Sequence, residues 1–497
     1  MQTIDTSTLL SSGRQLVFPA SVEVRLDNSV GEVTQTLELI RLFRVLPKKR
    51  VVALARWKGR VVVAKIFFAR RRWEQHLQRE VQGVSALESA GIKTAELLGS
   101  GKLADGRSGF LLLHYIDEGV NLCLRWEQAG GQGRVALLQQ VVTLIAECHE
   151  CGLLQNDIHL GNFLLKDKSV YLIDSGDLER YPENADGVDS VNSLRNLALF
   201  LAQFPVSNDA LAQSLYLCYC QQRPNADLSE DITVLSALVR KKRTARLKFV
   251  VKKLYRETSA NAHRQDWNHY IVYDRRIEST ALQSFLKAPD AFIESGEIIK
   301  AGTTTTVALI EIDGVQYVLK RYNIKSLWHR MRRLVQPSRA WICWRNAHML
   351  EVLGIKTAKP LLMMEWRFGS LRREAYFLSE YLPGEDALHF LNKEPINSPA
   401  WQHTLSQFKA LFSILRDYSV VHGDMKATNF QITDQGVAVL DLDGMYWKSD
   451  ARRFNSAQEK DLKRFAKNWE NDPKRAQKVQ AMLMQMQNES AYFTKGS

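Results

Sequence analysis

No apolar run in this chain approaches the roughly 18–20 residues needed to cross a bilayer as a helix, so no membrane-spanning helix is expected. The N-terminal MQTIDTSTLLSSGR has no charged-then-apolar leader pattern, which argues against export. Cysteine is scarce and irregular: Cys123, Cys148, Cys151, Cys218, Cys220 and Cys343 form no disulfide framework, which points to a reducing compartment. Glu147-Cys148-His149-Glu150-Cys151 looks like a metal cluster but has no second ligand pair nearby. It closes an apolar-periodic stretch (Leu137, Val141, Leu144, Ile145, Cys148) and reads as a buried helix end. Acidic residues are missing from two stretches. Arg240–Arg256 holds nine basic residues and no acidic one, and Lys320–Arg345 interleaves Trp328, Trp341 and Trp344 with Arg330, Arg332, Arg333, Arg339 and Arg345.

The chain is 497 residues long, which implies two to four domains. Its composition, 45% hydrophobic and 24% charged, is that of a soluble globular protein. The net charge of +13 favours an anionic partner: a membrane surface, a phosphorylated glycan or a nucleic acid. A generally basic protein with no such partner is the plainer alternative. As a helix, 240–256 is basic and suits an anionic surface, or is simply solvated. The arginine and tryptophan of 320–345 suit an interface or phosphorylated glycolipid. No RNA-binding motif accompanies them, so nucleic acid is not expected.

One pattern occurs twice. Asp424 and Asn429 lie five positions apart, and Asp441 follows Asp424 by seventeen. Asp157, Asn162 and Asp174 repeat both spacings, each 267 positions before its counterpart. LESAGIKTA (87–95) returns as LEVLGIKTA (350–358), so a whole domain is duplicated and not a loop alone. Each copy is preceded by strands around a central lysine: Lys65 in VVVAKIFF and Lys320 in YVLKRY. Such a lysine is either an exposed-face residue or a functional cation. A helix over about 71–90 carries Glu80, a possible partner for Lys65. FLLLHYID (110–117) and FLSEYL (377–382) read as strands leading between lobes.

ATP-dependent phosphoryl transfer requires an oriented donor, metal-neutralised phosphates and an in-line hydroxyl, with little covalent chemistry from the protein. Asn429 and Asp441 offer hard oxygen ligands for Mg²⁺. Asp424 is then free to accept the acceptor's proton, Lys426 to neutralise the phosphoryl group, and Lys320 to hold the donor phosphates. In the first copy the same roles fall to Asp157, Asn162, Asp174 and Lys65, with His159 in place of Lys426. Gly302, with Thr303–Thr306, forms a small-residue loop that either approaches phosphate through its amides or is an ordinary tight hairpin.

Both halves resemble protein-kinase-like folds of the lipopolysaccharide-kinase group, the bacterial Kdo and core-heptose kinases, near to RIO-type and aminoglycoside kinases. The residues carrying the resemblance are His422-Gly423-Asp424 with Asn429 and Asp441, and Asn156-Asp157-Ile158-His159 with Asn162 and Asp174. VLKRYNIKS (318–326), SRAWICWRNA (338–347) and DLKRFAKNW (461–469) extend it. It implies an α+β chain of two tandem protein-kinase-like domains, each a small antiparallel-sheet lobe plus a mainly helical lobe. The expected limits are 1–240, a basic linker helix 241–259, and 260–497. It also implies ATP and Mg²⁺, and phosphorylation of a lipopolysaccharide inner-core sugar hydroxyl at the cytoplasmic face of the inner membrane. The chain would then be cytoplasmic and peripheral, touching that surface through 240–256 and 320–345. A protein kinase, or a non-catalytic membrane-associated tandem pseudokinase scaffold, are the alternatives. Each copy departs from the pattern. Cys343 stands where Glu80 falls in the first copy, Gln155-Asn156 replaces His-Gly, and the first hairpin turn, LPKKR (46–50), has no glycine. Asp461 is expected to correspond to Asp189.

Overall fold

A computed structural model describes residues 2–3, 18–26, 34–46, 49–68, 72–182, 187–224, 226–228, 232–323, 336–369 and 371–494. The chain divides into two compact units, Met1–Gln203 with Asn208–Arg243, and Phe204–Ser207 with Thr244–Ser497. No helix among the described residues is long and apolar enough to cross a membrane.

The first unit opens with β1 (Gln2–Thr3), β2 (Ala20–Leu26), β3 (Thr34–Leu46), β4 (Arg50–Trp57) and β5 (Arg60–Phe67). Helix α1 (Trp73–Ser89) follows, then β6 (Leu97–Leu103) and β7 (Gly109–His114). The sheet order is β1-β2-β3-β4-β5-β7-β6, and β2 also pairs with β6. That extra ladder (Val24 with Leu103, Leu26 with Gly101) closes six strands into a ring. A Cβ at Gly101 would overlap the Arg25 carbonyl oxygen, so closure requires glycine there. Alternating residues such as Val51, Ala53 and Ala55 fill the interior, with Val62, Ala64 and Ile66 from β5. Outside the ring, Trp73, Leu77 and Val84 of α1 pack on Leu111 and Leu113 of β7. The remainder is mainly helical: α2 (Gly131–Glu150), α3 (Ser190–Leu201) and α4 (Ala212–Gln221), with the hairpin β8 (Phe163–Lys166) and β9 (Ser169–Leu172).

Helix α5 (Ile232–Lys253) begins nine residues before the expected linker over 241–259; of its basic residues only Arg243 is buried, and the others are exposed or half-exposed. Leu235, Val239, Arg243 and Leu247 recur at about one-turn spacing, Leu254 follows two turns on, and all five are buried. Arg243 forks onto both carboxylate oxygens of Asp209, at 2.8 and 2.6 Å.

In the second unit the strands are β10 (Asn261–Gln265), β11 (His269–Asp274), β12 (Glu297–Ala301), β13 (Thr305–Ile312), β14 (Val315–Tyr322), β15 (Pro360–Phe368) and β16 (Leu371–Glu380). They form one antiparallel sheet in the order β10-β11-β15-β16-β14-β13-β12. Helix α6 (Arg339–Leu353) packs on it. The helical part comprises α7 (Pro399–Asp417), the hairpin β17 (Phe430–Thr433) and β18 (Gly436–Val439), α8 (Ala451–Ala466) and α9 (Pro473–Thr494). Phe408, Phe412, Phe430 and Phe465 form an aromatic cluster, with centroids from 4.9 Å (Phe408–Phe465) to 5.9 Å (Phe412–Phe430). Phe430 directly follows Asn429, so this cluster fixes the start of β17 beneath the repeated motif.

The two described tryptophans of the tryptophan-rich stretch are not the exposed surface expected of them. Trp344 is fully buried, and Trp341 stacks on Tyr255 at 3.7 Å. Both lie on α6, where burying large apolar area outweighs leaving it at an interface. Trp328, Arg330, Arg332 and Arg333 lie outside the described residues.

Candidate active site

In the second unit the motif forms a loop between Val421 and β17 and a second loop after β18. His422 is fully buried, and burial pushes its pKa down, so the ring is neutral. Its Nε2 lies 3.2 Å from the Leu440 carbonyl, which can only accept, so Nε2 carries the proton. The backbone N–H groups of His422 and Gly423 donate to the buried Asp461 carboxylate on α8, at 2.7 and 3.1 Å. Asn429 Nδ2 donates to the Asp424 backbone oxygen at 2.8 Å. That leaves Asn429 Oδ1 as the free side-chain oxygen. The Asp424 carboxylate is thus not needed to hold its own loop. It stands half-exposed, with Lys426 Nζ at 2.7 Å and Arg464 Nε at 3.7 Å.

Asp441 takes a left-handed φ of 55°, which costs a non-glycine residue about 1 kcal/mol. This turn aims its carboxylate at Lys320, whose Nζ lies 3.3 Å away. Burial opposes ionisation of Asp441, but Lys320, with Arg339 adding to it, outweighs burial and holds the carboxyl below the usual carboxylate range. Cys343, on the helix face where the first unit has Glu80, is buried against the Tyr322 hydroxyl at 3.1 Å. Burial raises its thiol to about 12, so it is no substitute for a carboxylate. The lysine is held by the loop and not by the helix.

Because Asp441 has a depressed folded pKa, its stabilising contribution is present above its ordinary value of 3.8 and is lost as pH falls through the folded value. Replacing Lys320 by Met should lower stability at neutral pH, and wild type and variant should converge on acidification. Urea midpoints taken between about pH 6 and about pH 3 test this; parallel curves would sink it.

Two contributors in this unit were missed by sequence reasoning. Arg339, assigned to a basic surface, instead pairs with Asp443 and donates to Thr305 Oγ1 at 2.8 Å. Asn346, fully buried on α6, donates from Nδ2 to both the Leu442 and Met445 carbonyls at 2.8 Å, pinning the Asp441 loop. Its truncation in Asn346→Ala orphans two carbonyls and should cost about 1–3 kcal/mol, read as a lower denaturant midpoint of the second unit. Gly302 lies in the β12–β13 turn, with its N–H donating to the Thr305 carbonyl at 3.0 Å. That amide is therefore engaged in a tight hairpin and not open to a phosphate.

The first unit brings its own set together differently. Lys65 and Glu80, 8% and 2% exposed, pair at 2.6 Å. Arg50, a further residue not anticipated, reaches Glu80 Oε1 at 2.6 Å and Asp174 at 4.0 Å, while Lys65 lies 3.9 Å from Asp174. It comes from the turn read only for its want of glycine. Burial again opposes ionisation of Asp174, but Lys65 and Arg50 keep its carboxyl below the usual range. Asn162 Nδ2 donates to the Asp157 backbone oxygen at 2.6 Å, as Asn429 does in the other copy. Asp157 is exposed and has no ion pair among the described residues; His159 is half-buried and makes none with it. Arg50, Glu80, Asp157 and Asp174 face a cleft of about 580 Å³ that Arg44, Lys49, Arg72 and His76 also line.

Asp189 does not play the part of Asp461. It caps α3, accepting from the Asn192 N–H at 3.0 Å. Asn196, two turns further on, donates to the Gln155 carbonyl at 2.8 Å and receives the buried His149 at 3.2 Å. The loop backbone there turns a carbonyl, not N–H groups, toward the helix, so an amide and not a carboxylate suits it.

Chemically, each set offers hard oxygens from an Asn and an Asp, a lysine against the second Asp, and an accessible first Asp. That donor set suits a divalent cation bearing a polyphosphate, with a base beside it. No curated protein matches the chain. Among solved structures it is similar to the kinase domain of PknI from Mycobacterium tuberculosis, in a double mutant, at 17% identity and a TM-score of 0.28, covering 41% of this chain and 95% of that one. It is also similar to a rhoptry kinase from Toxoplasma gondii, at 14% identity and a TM-score of 0.32, covering 50% and 91%. Residues 283–485 match the family described as Lipopolysaccharide kinase (Kdo/WaaP). That segment carries Asp424, Asn429 and Asp441, and its similarity to lipopolysaccharide kinases supports a phosphotransferase.

Proposed function

We propose that the chain consists of two protein-kinase-like domains in tandem and phosphorylates a sugar hydroxyl of the lipopolysaccharide inner core, at the cytoplasmic face of the membrane, with ATP and Mg²⁺. The observation that carries this reading is the second-unit loop. An accessible Asp424 carboxylate lies beside two cations, next to an Asn429 oxygen and an Asp441 held ionised by Lys320, all within the segment matched to a lipopolysaccharide kinase family.

In this mechanism Asp424 takes the proton of the acceptor hydroxyl as that oxygen bonds to the γ-phosphorus. The bond from the γ-phosphorus to the β–γ bridging oxygen breaks, and ADP leaves. Asn429 Oδ1 and Asp441 would hold Mg²⁺, which when bound supplies charge neutralisation for the phosphates. Lys320 and Arg339 would hold donor phosphates, and Lys426 would steady the group in flight. In the first unit Asp157, Asn162, Asp174 and Lys65 would take the corresponding roles, with Glu80 orienting Lys65.

Purified full-length protein with Mg²⁺ and labelled ATP should transfer phosphate to lipopolysaccharide core oligosaccharide. Label on protein acceptors and never on glycan would replace this reading by a protein kinase. No transfer, together with no Mg·ATP-dependent thermal shift, would replace it by a scaffold of two pseudokinase domains.

A further inference from the structure

We propose that a basic pocket on α8, beside the Asp424 loop, binds a phosphate substituent of the acceptor; this rests on the phosphotransferase reading above and specifies what its acceptor carries. The pocket encloses about 440 Å³, lined among others by Gly423, Tyr446, Lys448, Arg452, Arg453 and Lys460. Arg452, Lys460 and Arg464 recur at one- and two-turn spacing, so they share a face of α8.

The cations are placed where a helix disfavours them. Asp450 caps α8 by accepting from the Arg453 N–H at 2.8 Å, so Arg452 and Arg453 occupy the first turn. The helix dipole is positive there, and cations in that turn are destabilising unless an anion joins them. No carboxylate pairs with Lys448, Arg452, Arg453 or Lys460 among the described residues. The single carboxylate in the lining, Asp461, has both oxygens occupied by the His422 and Gly423 N–H groups. The pocket is therefore a concave, electropositive site without an internal counterion. Arginine pairs and a helix N-terminus both suit a phosphate.

Its position gives the site its use. Gly423 is both a wall of the pocket and the neighbour of Asp424. Arg464, one turn beyond Lys460, reaches the Asp424 carboxylate at 3.7 Å. A sugar with its reacting hydroxyl at Asp424 and an anionic group further along α8 would span both. Among the described residues the first unit offers no such site at the matching position. The depression beside Asn156, the counterpart of Gly423, is lined by Asp177 and Glu179 as well as Arg79 and Arg180.

Full-length wild type and an Arg452→Ala/Lys460→Ala variant should be titrated calorimetrically, without ATP, with core oligosaccharide before and after phosphatase treatment. Both substituted side chains are exposed, so folding is expected to survive. Wild type should bind the phosphorylated form about tenfold or more tightly, and the variant should bind both forms alike. In steady state the variant should show a raised KM for acceptor and an unchanged KM for ATP, and Arg452→Lys alone should stay close to wild type. Inorganic phosphate should compete with the acceptor in wild type and not in the variant. Equal binding of the two oligosaccharides by wild type, retained discrimination by the variant, or phosphate binding without competition overturns the proposal. Discrimination retained by wild type without any phosphoryl transfer supports the pocket and overturns the catalytic reading.

Discussion

Replacing Asp424 by alanine should lower phosphoryl transfer by about 10²–10⁴-fold, the usual worth of a positioned general base, with little change in fold. The separation follows from how the loop is held. Its backbone is secured by Asp461 through the His422 and Gly423 N–H groups and by Asn429 through the Asp424 carbonyl. The Asp424 side chain contributes only half-exposed contacts with Lys426 and Arg464, and exposed pairs of this kind are worth about 0–1 kcal/mol. The thermal midpoint should therefore move by a degree or two at most, on the order expected for so small a change. Asp424→Asn keeps the shape and removes the base, so it should be nearly as inactive as alanine. Asp157→Ala is the matched change in the other copy. Activity lost in Asp157→Ala and retained in Asp424→Ala would transfer the chemistry to the first unit. Activity retained in both would remove the basis for either loop as the reaction centre.

What was legible in the chain was whatever chemistry fixes at short range. Asp424 and Asn429 lie on one loop, and the bond from Asn429 Nδ2 to the Asp424 carbonyl is possible only at about that spacing. The doubled offset disclosed two such loops. Lys65 and Glu80, fifteen residues apart, were expected to pair as the strand lysine and helix glutamate of a kinase-like small lobe, and they do pair. What was not legible depends on distant packing. Lys320 pairs with an aspartate 121 residues away, and no local pattern in YVLKRY announces that the helix partner has been exchanged for the loop. Arg339 and Arg50 were visible as charges but were counted as surface and as a turn, because a cation's destination depends on which carboxylate the fold brings up. Trp341 and Trp344 illustrate the same limit. Their composition suited an interface, whereas the helical period of α6 turns Trp344 into the core. Closure of the first sheet likewise rests on one extra ladder between β2 and β6.

The two units thus anchor the strand lysine by different carboxylates, and this difference predicts a large asymmetry in stability. Glu80→Ala should destabilise the first unit by up to about 3–5 kcal/mol, because it takes from Lys65 and Arg50 their nearest carboxylate and leaves them only Asp174, at 3.9 and 4.0 Å. Glu80 is 2% exposed and receives both at 2.6 Å, so water cannot take its place without opening the sheet–helix contact. Cys343→Ala, at the matching position, removes a single buried thiol and its contact with Tyr322, a loss of about 1–2 kcal/mol in this range of small core truncations. The double change Lys65→Met/Glu80→Leu separates stability from positioning. Replacing both partners of a buried pair by apolar groups is often near neutral, and Arg50 would retain Asp174 nearby. The double variant should therefore recover most of the stability lost in Glu80→Ala while leaving the first cleft without its lysine. Chemical denaturation of the three proteins, with nucleotide-dependent thermal shift measured alongside, tests this. A stable Glu80→Ala protein would mean that the carboxylate is solvated and the network open. A double variant that regains stability but loses the first unit's response to nucleotide would show that the buried pair serves to hold Lys65 for a phosphate, since the fold itself would have been shown to do without it.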